Sequence, residues 1–163
     1  MRHFVEEMED LQRRLLEMAG LVEAAIHDSV LSLTEQDEER AQHVLQNEAR
    51  INLMEIEIDD LATGLLALQQ PMAKDLRFLT SAIKINNDLE RMGDLAVHIV
   101  ERSLSLMRQP PVKPPIDIPR VARLAESMVR QSLDSFVKRD ADLARGVLLS
   151  DDAVDDLRDS IYQ

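Results

Sequence analysis

The 163-residue sequence has no cysteine and no tryptophan, only four glycines, and only four aromatic side chains, Phe4, Phe78, Phe136 and Tyr162. Without cysteine there is no disulfide framework, no zinc ribbon and no thiol nucleophile, which suits a reducing compartment. Four glycines are too few for a loop-rich or propeller-like design, and the shortage of aromatic residues argues against extensive β-structure. No uncharged apolar stretch approaches 18 residues, so nothing in the sequence is suited to span a membrane. The amino-terminal MRHFVEEMED turns acidic at once and has no apolar segment of signal-peptide type. A soluble, cytoplasmic protein is expected.

Positive charge is also scarce in one half. Lysine and arginine number 19 against 31 aspartates and glutamates, a net charge of −12. Residues 1–70 hold 16 acids and 5 bases, a net of −11, while the remainder is close to balance. Such a front half does not suit nucleic acid, which requires a basic footprint, nor an anionic lipid surface. It suits solubility or the binding of hard cations. At 45% hydrophobic residues the chain can build a core despite its charge.

Helical periodicity runs nearly from end to end. Val5, Met8, Leu11, Leu15, Met18, Val22, Ile26, Val30 and Leu33 recur at three- and four-residue steps. The segment TEQDEER interrupts them, with Asp37 as a helix N-cap and Glu38 and Glu39 in the next first turn. A second helix carries Val44, Ile51, Met54, Ile58, Leu61, Leu65 and Leu68, and ends at Gln69-Gln70-Pro71. The third begins near Pro71 and runs to about Met107. RQPPVKPPIDIP holds five of the six prolines and reads as an extended connector.

The pattern then restarts. The stretch from Ala19 to Ala41 lies over that from Ala122 to Ala144 at an offset of 103, matching Leu21 with Leu124, Ser29 with Ser132 and Asp37 with Asp140. EIEIDDL from Glu55 lies over DDAVDDL from Asp151 at an offset of 96, and the change of seven keeps the helix face. The expected fold is all-α: a three-helix bundle over residues 1–108, a proline-rich linker over 109–118, and a partial second bundle of two helices over 119–163. That second bundle lacks its last helix.

Carboxylates four apart share a helix face and repel unless a cation lies between them. Glu55/Asp59, Glu90/Asp94 and Asp151/Asp155 have this spacing. Chance would place about six such pairs in so acidic a chain, and seven occur, so their number decides nothing. Placement says more. On the third helix Phe78, Ala82, Ile85, Leu89, Met92, Ala96 and Val100 form an apolar stripe, flanked by a second row through Leu76, Leu79 and Ile83. That row turns polar at Asn87, Glu90 and Asp94 before returning to Val97, and Gly93 leaves room for a close neighbour. If the second and third helices pack antiparallel, their acid pairs meet at one level. The alternative is two solvated acidic edges. His98 stands one turn beyond Asp94, but no Glu-x-x-His occurs, which counts against a di-iron enzyme.

The segment QPMAKDLRFLTSAIKINNDLERMGDLAVHIVE, with Asp75-Leu76-Arg77, Ile83-Lys84-Ile85 and above all Leu89-Glu90-Arg91-Met92-Gly93-Asp94, closely resembles the signature helix of the PhoU family of phosphate-signalling proteins. The likeness extends over essentially the whole chain. It implies tandem three-helix bundles whose Glu/Asp-xxx-Asp motifs bind metal clusters. Carried over, the metal candidates are Glu55, Asp59, Glu90 and Asp94, with Asp151 and Asp155 as a half-built second set. The cations implied are Mg²⁺, Mn²⁺ or iron. The resemblance further implies a non-enzymatic regulator that couples the ATPase subunit of the phosphate ABC transporter to a membrane sensor histidine kinase. It would repress the starvation response when phosphate is plentiful, at the inner face of the membrane through its partners. A homodimer is the expected assembly, with a second chain covering the fourth and fifth helices. A carboxylate-rich metal-dependent enzyme and a purely structural acidic adaptor are the competing readings.

Overall fold

The computed structural model describes residues 2–114 and 116–160; Pro115 of the linker and the last three positions of the expected second unit lie outside the described residues. Five helices account for the regular structure there, α1 (Arg2–Thr34), α2 (Glu38–Gln69), α3 (Ala73–Leu106), α4 (Ile118–Lys138) and α5 (Ala141–Asp159). No strand occurs among the described residues.

Local chemistry sets the helix ends. The Asp37 carboxylate accepts from the Arg40 backbone N–H at 3.1 Å, with Glu38 and Glu39 in the first turn of α2. Gln70 takes a left-handed conformation and stops α2 before Pro71. Met72 is the N-cap of α3 and offers no side-chain cap bond, so Pro71 sits just outside the helix rather than in its first turn. From Arg108 the described residues are irregular until Asp117 caps α4 through the Arg120 N–H at 3.0 Å.

The repeat is legible in the turns as well as in the sequence. Gln36 and Arg139, 103 residues apart, are both left-handed, with φ of 53° and 56°. Each precedes an aspartate N-cap whose own N–H returns to a serine carbonyl, Asp37 to Ser32 at 3.1 Å and Asp140 to Ser135 at 2.8 Å. Both serines are buried and donate to the carbonyls of Ser29 and Ser132, at 2.7 Å in each case. Four equivalent positions thus make the same helix stop and restart.

α1, α2 and α3 pack on one another around Leu11, Leu15, Met18, Val22, Ile58, Leu65, Leu79 and Leu89. α4 lies along α1, and its Val129 and Leu133 belong to the same buried cluster. The two units therefore share an interface and a core. Arg130 binds Glu23 at 2.7 Å across that seam. At one end Phe136 of α4 stacks on Phe78 of α3 with ring centroids 4.5 Å apart, and Arg139 lies over the Phe78 ring. Asp75, in the first turn of α3, faces Arg139 at 3.7 Å. Among the described residues, α5 packs only on α4 and buries no residue; Leu148 and Leu149 are exposed. An apolar groove of about 420 Å³ runs between α3 and α4, bounded by Ile85, Met92, Met128 and Leu133 and closed on one side by Val154 of α5.

Candidate metal centre on the seam between α2 and α3

Two contacts set the register of α2 against α3. The Asn86 side chain donates to the main-chain oxygen of Glu55 at 2.8 Å. Gly93 faces Ile51, whose methyl carbons would lie 3.3 and 3.4 Å from a Cβ added there. Numbering rises on one helix as it falls on the other, so the pair is antiparallel. The absence of a side chain at Gly93 permits the close approach.

This register brings Glu55 and Glu90 near each other and sends their partners apart. Asp59 lies a turn beyond Glu55 in one direction, and Asp94 a turn beyond Glu90 in the other. A rise of 1.5 Å per residue separates Asp59 and Asp94 by roughly 15 Å along the seam. The four acids form a staggered column rather than one level. In keeping with that, no group of three or more His, Asp or Glu side chains is arranged to hold a metal ion among the described residues.

Electrostatics nevertheless mark the column out. Burial raises the Glu90 carboxyl above its ordinary value; the hydrogen bond and charge of Asp94 and the charge of Glu55 push the same way, and Arg91 opposes them only weakly. Elsewhere half-buried acids are matched with bases: Asp28 with Arg40 at 2.8 Å, Glu23 with Arg130, Asp10 with Arg14 at 2.8 Å. Among the described residues, the half-buried acids with no salt bridge are Asp134 and a set confined to α2 and α3, namely Glu48, Glu55, Asp59, Glu90 and Asp94. Uncompensated carboxylates of this kind suit an oxygen-preferring cation. Asn86 adds a fully buried amide whose Oδ1 has no hydrogen-bond partner.

The second set is different. Asp151 is exposed, and Asp155 is held by Arg158 at 2.9 Å on the same helix. Among the described residues, no other helix than α4 packs against α5. His98 is exposed and makes no salt bridge among the described residues.

Sequence periodicity placed Asn87 in the polar row, but Asn87 is exposed and Asn86 occupies the seam. Both fit between Ile83 and Glu90, at steps of three and four in either order, so periodicity alone left them equivalent. Leu76, at the head of that row, is 44% exposed.

The PhoU domain model matches residues 15–103 and 118–163. The chain belongs to the PhoU family. It is 38% identical over 152 residues to the phosphate-specific transport system accessory protein PhoU homolog of Aquifex aeolicus, covering 93% of this chain and 69% of that protein. With the Pseudomonas putida protein of the same description it shares 37% over 155 residues, 94% of this chain and 60% of the other. The fold matches the crystal structure of PhoU from Pseudomonas aeruginosa with a TM-score of 0.92 at 36% identity, over 98% of this chain and 77% of that one. The phosphate transport system regulatory protein PhoU from Streptococcus pneumoniae matches with a TM-score of 0.85 at 28% identity, over 97% and 74%. The chain thus spans between 60% and 69% of the length of these two curated relatives. No helix among the described residues is long and apolar enough to cross a membrane.

The raised Glu90 carboxyl has a measurable consequence. In the fold it takes up its proton at higher pH than in the unfolded chain, so its charge destabilises the fold above that raised value. The penalty fades as pH falls toward the ordinary 4.5. Glu90→Gln is therefore expected to raise the melting temperature by about 2 °C at pH 7 in chelator, with the gain vanishing near pH 4. Thermal melts followed by circular dichroism across this range decide it; identical melts at pH 7 would mean that the carboxylate is not crowded.

Proposed function

We propose that this protein is a non-enzymatic helical adaptor of the phosphate transport system. In this reading it links the ATPase subunit of the phosphate ABC transporter to a membrane sensor histidine kinase and restrains the starvation response when phosphate is plentiful. Family membership supports the transport role, since the relatives are named as accessory and regulatory proteins of phosphate transport. It acts from the cytoplasm, as a homodimer, and meets the membrane through its partners.

The observation that carries the metal part of the proposal is the concentration of uncompensated half-buried acids on α2 and α3, which hold all of those among the described residues except Asp134 on α4. Glu55, Asp59, Glu90 and Asp94 would hold Mg²⁺, Mn²⁺ or iron, and the orphaned Asn86 Oδ1 fits the same all-oxygen chemistry. A bound cation supplies positive charge that relieves carboxylate repulsion. The chain's own part is to keep α2 and α3 in register through Asn86 and Gly93, so that the acidic face presented to a partner has one shape. Asp151 and Asp155 would contribute only weakly, because Arg158 already neutralises Asp155.

A direct titration tests the adaptor. The purified transporter ATPase subunit should bind this protein reversibly, and more tightly with Mn²⁺ than with chelator. Lack of binding in both conditions would reject the adaptor reading. Equal binding in both would reject only the part played by metal in docking.

A further inference from the structure

The net charge conceals one basic corner. Residues 71–87 hold three bases, Lys74, Arg77 and Lys84, and one acid, Asp75, in a chain of net charge −12. Lys74, Arg77, Phe78 and Ser81 stand at steps of three and four on α3 and so share a face. That face, the end of α4 and the start of α5 border an open cavity of about 570 Å³. Arg139 bounds it from the turn between α4 and α5, where its left-handed backbone, with φ of 56°, ends α4.

The cations on this wall are not spent on the fold. Lys74 and Arg77 are exposed and make no salt bridge among the described residues. Arg139 faces Asp75 at 3.7 Å, beyond hydrogen-bond reach, and its guanidinium carbon lies 5.3 Å from the centre of the Phe78 ring. Asp140 is the one acid of the lining, and its carboxylate is occupied by the Asp142 and Leu143 N–H groups at 3.0 Å. Much of the remaining wall is apolar: Phe78, stacked on Phe136, with Ala141 and Ala144. Positive charge beside an apolar wall, in a volume typical of small-molecule sites, matches an anion that carries an organic body. Orthophosphate alone would leave most of that space to water.

We propose that this pocket binds a nucleoside polyphosphate, with its phosphates on Lys74, Arg77 and Arg139 and its base toward Phe136 and Ala144. Three cations from two elements suit several phosphate groups rather than one. Lysine and arginine both hold phosphate oxygens through charge-assisted hydrogen bonds, and Ser81 adds a hydroxyl donor. The pocket is separate from the acidic column, since Glu90 stands about 13 Å further along α3 than Ser81. Because α3, α4 and α5 each supply part of the wall, an occupied pocket ties the first unit to the second. It also gives α5, which buries none of its described residues, a second hold on the bundle.

Calorimetric titration of ATP into the full chain tests this, in chelator so that no cation on the α2–α3 seam captures phosphate. ATP should bind the wild type, and Lys74→Ala and Arg77→Ala should each weaken it about tenfold. Lys138 is exposed and lies beside Arg139 but outside the lining, so Lys138→Ala removes the same charge and should weaken binding no more than about threefold. Thermal melts without ATP check that the variants fold, and Lys74→Gln or Arg77→Gln replaces an alanine variant that does not. Orthophosphate and inorganic polyphosphate are the other probes: either one binding as tightly as ATP would overturn the assignment to a nucleoside. Equal losses in Lys74→Ala and Lys138→Ala would overturn the pocket in favour of diffuse attraction. Failure of ATP to bind the wild type at millimolar concentration would overturn the proposal outright.

Discussion

Gly93→Leu is expected to lower the melting temperature by roughly 5–10 °C. A Cβ at this position already meets Ile51 at 3.3 Å, tighter than an ordinary contact. Three further carbons have no room between α2 and α3, and overpacking of this kind costs about 2–3 kcal/mol. For a chain of this length each kcal/mol corresponds to about 2–4 °C. Gly93→Ala should differ sharply from it. Its single methyl meets the two methyl carbons of Ile51, which need give way by only a few tenths of an ångström, and alanine is the better helix former by about 1 kcal/mol, so the net change stays within about 1 kcal/mol. Thermal melts of both variants distinguish steric separation from a generic dislike of side chains in the motif. If leucine were tolerated as well as alanine, the helices would not be held at the distance described.

Removing the charges of Glu90 and Asp94 together should have two effects of opposite sign. In chelator, Glu90→Gln with Asp94→Asn stabilises the fold, because two neighbouring acids no longer repel. In saturating Mn²⁺ the order reverses. A ligand at about a hundred times its Kd adds roughly 2.7 kcal/mol to the wild type, a rise of about 5–10 °C. The double variant should show almost none of it. Asp151→Asn with Asp155→Asn serves as the comparison: since Asp155 already has Arg158, the Mn²⁺ rise should persist there. A metal-dependent rise that survives in the first double variant would remove Glu90 and Asp94 from the site. Loss of the rise in the second would instead place the principal site on α5.

Much of this architecture could be read before any coordinates. Asp37, Asp117 and Asp140 write their helix starts in local chemistry, a carboxylate followed by a free backbone N–H, and need no tertiary context. The repeat was legible for the same reason: each turn is specified within a few residues, and the serine-to-aspartate spacing recurs unchanged. The arrangement of the acids was not. Their level along the seam depends on how α2 slides against α3, which is decided by where Gly93 admits Ile51 and where Asn86 finds a carbonyl. Neither contact has a signal within one helix. For the same reason the packing of α4 on α1 could not be read from periodicity, which identifies an apolar face without naming its partner.

α1 is flanked on both sides. It packs on α2 and α3 within its own unit and on α4 across from it, with Ile26 bordering the apolar groove and Glu23 gripping Arg130. The proline-rich segment, although it is the obvious seam in the backbone, is thus not a seam in the folded molecule. Cutting the chain there would not free two independent pieces: the front piece would bare the α1 face that Val129 and Leu133 now cover, and the back piece would be two helices without a floor. Sequence order suggests beads on a string, whereas spatial order makes the first helix the keel on which α2, α3 and α4 are laid.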